Sequence, residues 1–496
     1  MAKFSGSSFL VCLLVFVLLA STSTIEAQVT PVTPSNSSRP FNRTLFPADF
    51  IFGAGSAAYQ IEGGAFIDGK GPSIWDTYTN KHPERIKDGS NGNVAADFYH
   101  RYKEDIHLMK KVGLDSFRFS ISWSRVIPTG KYKGGAGVNP KGVAFYNNLI
   151  TELLSKGIKP FVTIFHWDTP QGLEDEYGGF RNRSIVKDYE EYAEFLFKTF
   201  GDRVKNWCTV NEPSIFSLIG YDLGLNAPGR CSDYVGNCLG GNSATEPYIV
   251  GHNLLLAHLA AVKVYKQKYQ VSQKGKIGIT LVTDWYTPKF KTESSYNATY
   301  RALDFNLGWF LDPITYGHYP KTMRDIIGNN LPTFTKSESN SLIGSFDFLG
   351  LNYYTGQYVT ALPPPTGNHS FYTRTTSFFS YPKGLEAFLL HVKKYYKNPP
   401  VHITENGVGD PSTLSFDESI KDGVRIRYHY DHLVAILNSI KLGANVKAYY
   451  VWAFLDDFEW SNGYTSRFGL TYIDFKNNLG RRLKYSAYWF KHFLLK

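Results

Sequence analysis

Short apolar runs recur along the chain, separated by longer stretches of helical periodicity. The runs are Phe50–Gly55, Ser116–Trp123, Pro160–Trp167, Val204–Val210, Ile277–Thr283, Phe346–Tyr353, Val401–Thr404 and Val446–Phe454. Because they lack a polar face, they predict strands covered on both sides, as in a parallel sheet. Between them, Val143, Tyr146, Leu149, Ile150, Leu153 and Leu154 form one stripe at helical spacing, with Gly157 placed to end the helix; Ile185, Tyr189, Tyr192, Leu196 and Phe200 form another. Spacings of three and four put each set on one face, so both read as core. Strand and helix alternating about eight times predict an α/β fold, a single-domain (β/α)8 TIM barrel with long βα loops over residues 44–496. A doubly wound open sheet is disfavoured because no Gly-X-Gly-X-X-Gly follows the first run.

The ends of the chain read differently. Residues 1–27 have a lysine at position 3, an apolar centre from Phe9 to Ala20 and a small polar close at Ala27. That is the pattern of a secretory signal, too short to span a bilayer. Residues 28–43, rich in Pro, Ser and Thr, predict a flexible segment. The expected location is therefore the secretory pathway, extracellular or vacuolar, with no membrane anchor. Secretion would expose the acceptor sequences at Asn36, Asn42, Asn182, Asn297 and Asn368 to glycosylation.

Composition narrows the function. The 496 residues are 43% hydrophobic and 19% charged, as a folded protein with a large core requires. A net charge of +10 invites a nucleic-acid reading, but the basic residues form no continuous run, so a solvated surface and no nucleic-acid partner are expected. Cys231 and Cys238 are close enough to staple a surface loop as a disulfide, while Cys208 lies in an apolar run and reads as a packed thiol. Histidines and cysteines show no ligand spacing, so neither a metal nor a cofactor is expected. Oligomeric state is left open, a homo-oligomer included.

Two of the runs end in carboxylates. Val401-His402-Ile403-Thr404 leads into Glu405-Asn406-Gly407, and Val204–Val210 leads into Asn211-Glu212-Pro213. Alone, Asn406-Gly407 could be an ordinary turn adopting positive φ. Two acids on two strand ends of one barrel are instead what glycoside cleavage needs. The barrel places all strand ends on one rim, which adds Gln60, Glu62, Arg118, Trp123, His166, Trp167, Asp168, Asn211, Tyr354, Trp452, Glu459 and Trp460. Aromatic faces, amides and carboxyl groups together suit a sugar.

These residues carry a resemblance. Phe50-Ile51-Phe52-Gly53-Ala54-Gly55-Ser56-Ala57-Ala58-Tyr59-Gln60-Ile61-Glu62-Gly63, Thr209-Val210-Asn211-Glu212-Pro213 and Ile403-Thr404-Glu405-Asn406-Gly407 resemble the signatures of glycoside hydrolase family 1, in particular its secreted plant β-glucosidases, and the likeness runs from about Phe46 to the C-terminus. The resemblance implies a retaining β-glucosidase acting on a small-molecule O-β-glucoside. Glu405 would be the nucleophile and Glu212 the acid/base. Gln60, His166, Asn211 and Glu459 would be hydroxyl ligands, Trp452 the stacking platform, Trp460 a sugar contact and Phe468 a wall, with Arg118 and Tyr354 holding the nucleophile. Retention implies carboxyl groups about 5 to 5.5 Å apart. Glu405, beside Arg118 and Tyr354, is expected to stay ionised, and Glu212 to keep its proton. Glu212 favours O-glycosides over the S-glycosides of related thioglucosidases, whose typical members carry Gln there, and Glu459 favours an unphosphorylated sugar. Two features depart from the pattern. The loop after Tyr354 looks short and lacks a Trp before Tyr381-Pro382-Lys383-Gly384, with Ser377, Phe378 and Phe379 there instead, and His402 stands where an apolar residue is usual. A transglucosidase and a catalytically impaired sugar-binding protein are the alternatives.

Overall fold

A computed structural model describes residues 41–361 and 380–495. Eight parallel strands close into a barrel: β1 (Ile51–Gly55), β2 (Ser116–Ser120), β3 (Lys159–Phe165), β4 (Asn206–Asn211), β5 (Lys276–Val282), β6 (Phe348–Asn352), β7 (Val401–Asn406) and β8 (Val446–Trp452). Each strand pairs with its sequence neighbours, and β8 closes on β1 with Trp452 opposite Gly55. The runs at Ser116–Trp123 and Val446–Phe454 overshoot their strands, because Ile121–Trp123 and Ala453–Phe454 leave the sheet while remaining buried. A periodicity reading senses burial and cannot see where hydrogen bonding stops.

Two helices show how far the stripes hold. Helix α1 (Pro140–Ser155) buries Tyr146, Leu149, Ile150 and Leu153 as expected, and Gly157 takes a φ of +73° just beyond it. Leu154 departs from its stripe and is 40% exposed; Phe145, on the other flank, is buried instead. In α2 (Ile185–Phe200) all five expected core residues are buried. The barrel's amino-terminal half is filled by Phe161, Cys208, Phe348, Ala448 and Tyr450. His402 joins this plug, its ring stacked on Phe348 at 4.5 Å and edge-on to Phe161 at 6.0 Å. Burial pushes its pKa down to about 3, so it packs as a neutral aromatic ring, which accounts for a histidine in an otherwise apolar strand. Gly53 makes room for the plug: a Cβ there would lie 2.5 Å from the Tyr450 ring.

The expectation of a flexible segment through residue 43 is corrected at its end. Phe41 packs against Tyr430 and Phe493, with centroids 4.8 and 5.5 Å away, and Arg43 donates two hydrogen bonds to Asp115 at 3.1 and 3.0 Å. Polar composition hid an aromatic anchor. The signal-like segment 1–27, Asn36, Asn368 and Ser377–Phe379 lie outside the described residues. Cys231 and Cys238 are disulfide-bonded, and Cys208 is a buried free thiol. No helix of the described residues is long and apolar enough to cross a membrane.

Candidate active site

Alternation along β7 decides which of its last residues can act. Glu405 faces the barrel interior, and Asn406, its neighbour, belongs to the opposite face. The ordinary-turn reading of Asn406-Gly407 fails, since neither residue has positive φ. Asn406 completes the strand, and Gly407 is glycine because a Cβ would lie 1.9 Å from the Trp452 carbonyl oxygen. On β4 the local solution is different. Glu212 follows the strand at a φ of +46°, the left-handed region, and Pro213 then starts α3 (Pro213–Tyr221) with its φ already helical. Trp167 (+72°) and Trp460 (+51°) share this unfavourable region. Three such non-glycine residues around one site are strain held in place by packing, each costing on the order of 1–3 kcal/mol.

The two carboxyl groups are joined by an unbroken polar chain. Arg118, fully buried on β2, donates from Nη1 to Glu405 Oε1 and from Nη2 to Asn211 Oδ1, both at 2.6 Å. Asn352, at the end of β6, donates from Nδ2 to Glu212 Oε1 at 2.6 Å and, more weakly, to Asn211 Oδ1 at 3.3 Å. Thr404 donates to Asn352 Oδ1 at 2.7 Å and so fixes that amide's orientation. The Tyr354 hydroxyl donates to the other oxygen of Glu405 at 2.6 Å. Asn352 is the site residue that periodicity does not single out: it falls inside the apolar run Phe346–Tyr353, which predicts a strand and nothing more. An amide at the carboxyl end of an apolar run was the available signal.

Charge divides the pair. Burial pushes Glu405 above the ordinary carboxylate range, which corrects the expectation from its neighbours alone, while Arg118 and the Tyr354 hydroxyl pull it back. Glu212 goes well above that range, through burial and the repulsion of Glu405, with the Asn352 amide offering a smaller pull downwards. A proton shared between them therefore resides on Glu212, since Glu405 is paired directly with the Arg118 guanidinium, which acts on Glu212 only from a distance.

The remaining residues are joined by short polar and aromatic contacts beside the two carboxyl groups. Asn211 Nδ2 donates to His166 Nε2 at 3.0 Å, which assigns the ring proton to Nδ1, and burial beside Arg118 keeps the imidazole neutral. The Trp167 indole donates to the Asn211 carbonyl at 2.9 Å. Gln60 donates to the Phe458 carbonyl at 3.0 Å and reaches Glu459 at 3.4 Å. Glu459 is pushed up to about 8 by burial and Glu405, with Trp452 and Gln60 pulling the other way. His166 lies near-parallel to both Trp452 (5.9 Å, 23°) and Trp460 (5.8 Å, 20°), and Phe468 stands edge-on to Tyr354 at 6.2 Å.

Three rim residues go elsewhere. Glu62 accepts from Arg125 at 2.8 Å and from Tyr146 at 2.5 Å; Asp168 lines a small cavity with Glu62, Lys70 and Asp76; and Trp123 stacks on Tyr192 at 4.6 Å. A shared rim does not ensure a shared pocket, because loops after the strands redirect side chains.

A barrel whose carboxyl rim holds two linked, differently charged carboxyl groups among amides and tryptophans is that of a glycoside hydrolase. The chain belongs to glycosyl hydrolase family 1, whose model matches residues 42–496. Beta-glucosidase 12 of Oryza sativa subsp. japonica is 52% identical over 480 residues, 92% of this chain and 94% of the relative. Beta-glucosidase 17 of Arabidopsis thaliana is 52% identical over 474 residues, 91% of each chain. The solved structure of a mutant of rice Os3BGlu6 beta-glucosidase in a covalent complex with glucose is similar at a TM-score of 0.88 and 43% identity, covering 92% of this chain and 100% of that one.

Proposed function

We infer that the enzyme is a retaining β-glucosidase, releasing terminal non-reducing β-D-glucosyl residues from O-glucosides by double displacement. The observation that carries this is the chain Glu405–Arg118–Asn211–Asn352–Glu212, which ties two carboxyl groups of unequal acidity into one constellation. Glu405 attacks the anomeric carbon while Glu212 gives its proton to the glycosidic oxygen, and the aglycone leaves as an alcohol. The resulting ester removes the charge on Glu405, and with it the repulsion that keeps Glu212 protonated. Glu212 then takes a proton from water, which attacks the same carbon and restores Glu405. His166, Asn211, Gln60 and Glu459 supply donors and acceptors for the sugar hydroxyls, and Trp452 and Trp460 supply the apolar faces. Glu405, ionised beside Arg118, sets a negative charge near Glu459 that disfavours a phosphate there, which supports a neutral glucoside.

Further features support passage through the secretory pathway and glycosylation. Asn182 lies in an exposed turn and Asn297 on the exposed side of the helix Glu293–Leu303, while the Cys231–Cys238 bond suits an oxidising compartment. Mass spectrometry of the protein purified from its native tissue tests both: unmodified asparagines and an intact first residue would sink this part. The catalytic reading is tested with a chromogenic aryl β-glucoside. Wild type should release the phenol and give β-glucose as the first-formed anomer by proton NMR. Equal, negligible release by wild type and Glu405→Gln would overturn it, and α-glucose first would overturn retention.

A further inference from the structure

The segment after β6 has left the sheet, yet each of its carbonyls is held. Glu405 and Asn406 grip Tyr353 from two sides: the Tyr353 N–H donates to the Glu405 carbonyl at 3.1 Å, and Asn406 Nδ2 donates to the Tyr353 carbonyl at 2.6 Å. One residue on, the Tyr354 carbonyl accepts from the Tyr428 hydroxyl at 2.7 Å. Tyr428 lies on helix α4 (Gly423–Lys441), outside the barrel. Its oxygen also accepts the second proton of Asn406 Nδ2 at 3.1 Å, and Asn406 Oδ1 accepts from the Tyr449 hydroxyl at 2.7 Å. The Asn406 amide is thereby fully used and cannot flip without setting its oxygen against the Tyr353 carbonyl. His429 Nδ1 donates to Tyr449 at 2.7 Å, and His432 Nδ1 donates to the Tyr428 carbonyl at 2.7 Å. All these side chains are buried.

This network touches neither the sugar pocket nor a catalytic carboxyl group. Its effect passes through Tyr354, whose backbone it pins from behind and whose hydroxyl holds the nucleophile in front. We propose that Asn406 and Tyr428 are positioning residues for the reaction: with Tyr449 they form a strut from α4 that sets the Tyr354 hydroxyl against Glu405. The inference rests on the β-glucosidase reading above. Buried amides and hydroxyls in a closed network lose more than one bond when one member goes, because the others are left unpaired. Slackening the strut lengthens the Tyr354 bond to Glu405, and the anion, less stabilised, holds its proton to higher pH.

The groups around this device are limited. Glu405 is faced by Arg118 from β2, Glu212 from β4, Tyr354 from the β6 end, and Glu459 and Asp457 beyond β8. Tyr428 is faced by Asn406 from β7, Tyr449 from β8, Asp284 beyond β5, and His429 and His432 on its own helix.

The test is a double-mutant cycle on an aryl β-glucoside. Tyr428→Phe keeps the ring and removes the hydroxyl; kcat/KM should fall about tenfold and its acidic limb move up by about half a pH unit. In a Tyr354→Phe background the same change should cost less than about twofold, since the bond it tunes is already gone. Tyr449→Phe, one step further back, should show the same pattern at reduced size and serves if Tyr428→Phe does not fold. A lowered Tm with unchanged kcat/KM and pH limb, or an equal loss in both backgrounds, would overturn the strut while leaving the functional reading standing. A wild type inactive on every β-glucoside would remove both.

Discussion

The ends of β4 and β7 carry the same side chain and use it differently. At β7 the strand runs straight through Glu405, and the carboxylate receives a guanidinium and a phenol at 2.6 Å each. At β4 the backbone turns into the left-handed region at Glu212, and the carboxyl group receives a single neutral amide. Identical chemistry in unequal surroundings becomes a nucleophile at one end and an acid at the other. The difference lies in second partners, since both groups are equally withdrawn from water.

The largest break in this comparison comes from Glu405→Gln, which should lower kcat/KM on the order of 10⁴-fold for any leaving group, because the amide cannot form the ester. Glu212→Gln should instead discriminate: about 10³-fold on a simple alkyl glucoside and far less on a dinitrophenyl glucoside, whose leaving group needs no proton. Comparable losses on both substrates would deny Glu212 its role as acid. The pH profile separates the two carboxyl groups next. Activity should fall in acid as Glu405 gains a proton and in base as Glu212 loses one. Asn352→Ala removes a donor that favours the Glu212 anion and, less strongly, the Glu405 anion, so the basic limb should move up more than the acidic one, with about a tenfold loss of kcat/KM. A larger movement of the acidic limb than of the basic one would mean that Asn352 serves chiefly the nucleophile.

The smallest effect is one of stability. Burial and the neighbouring Glu459 and Asp456 push Asp457 well above the carboxylate range. A raised carboxyl pKa means that the folded state keeps a proton the unfolded chain gives up, so stability is lost as pH rises from the unfolded value, near 3.9, towards the folded one. Asp457→Asn abolishes that loss. Its Tm should exceed the wild type's by about 1–3 °C at pH 7 and by less at pH 4, as scanning calorimetry would read. An advantage independent of pH would mean that Asp457 is not the titrating group.

The sequence by itself determined the eight strands, the closed barrel and the two glutamates, because burial on both faces leaves an unbroken apolar run and chemistry collects where such a run ends. It also held the answer for Gln60, His166, Arg118 and Tyr354, though only as members of a rim. Tertiary structure decided which rim residues share a pocket: Glu62 and Asp168 turn into a separate cluster with Arg125 and Lys70, and Asn352 turns inward to Glu212. It decided the protonation order too, since that depends on a guanidinium contributed from β2 and an amide from β6, far away along the chain. Periodicity reports which side of an element is dry. It carries no distance between elements, and hydrogen bonds are made or lost within a few tenths of an ångström.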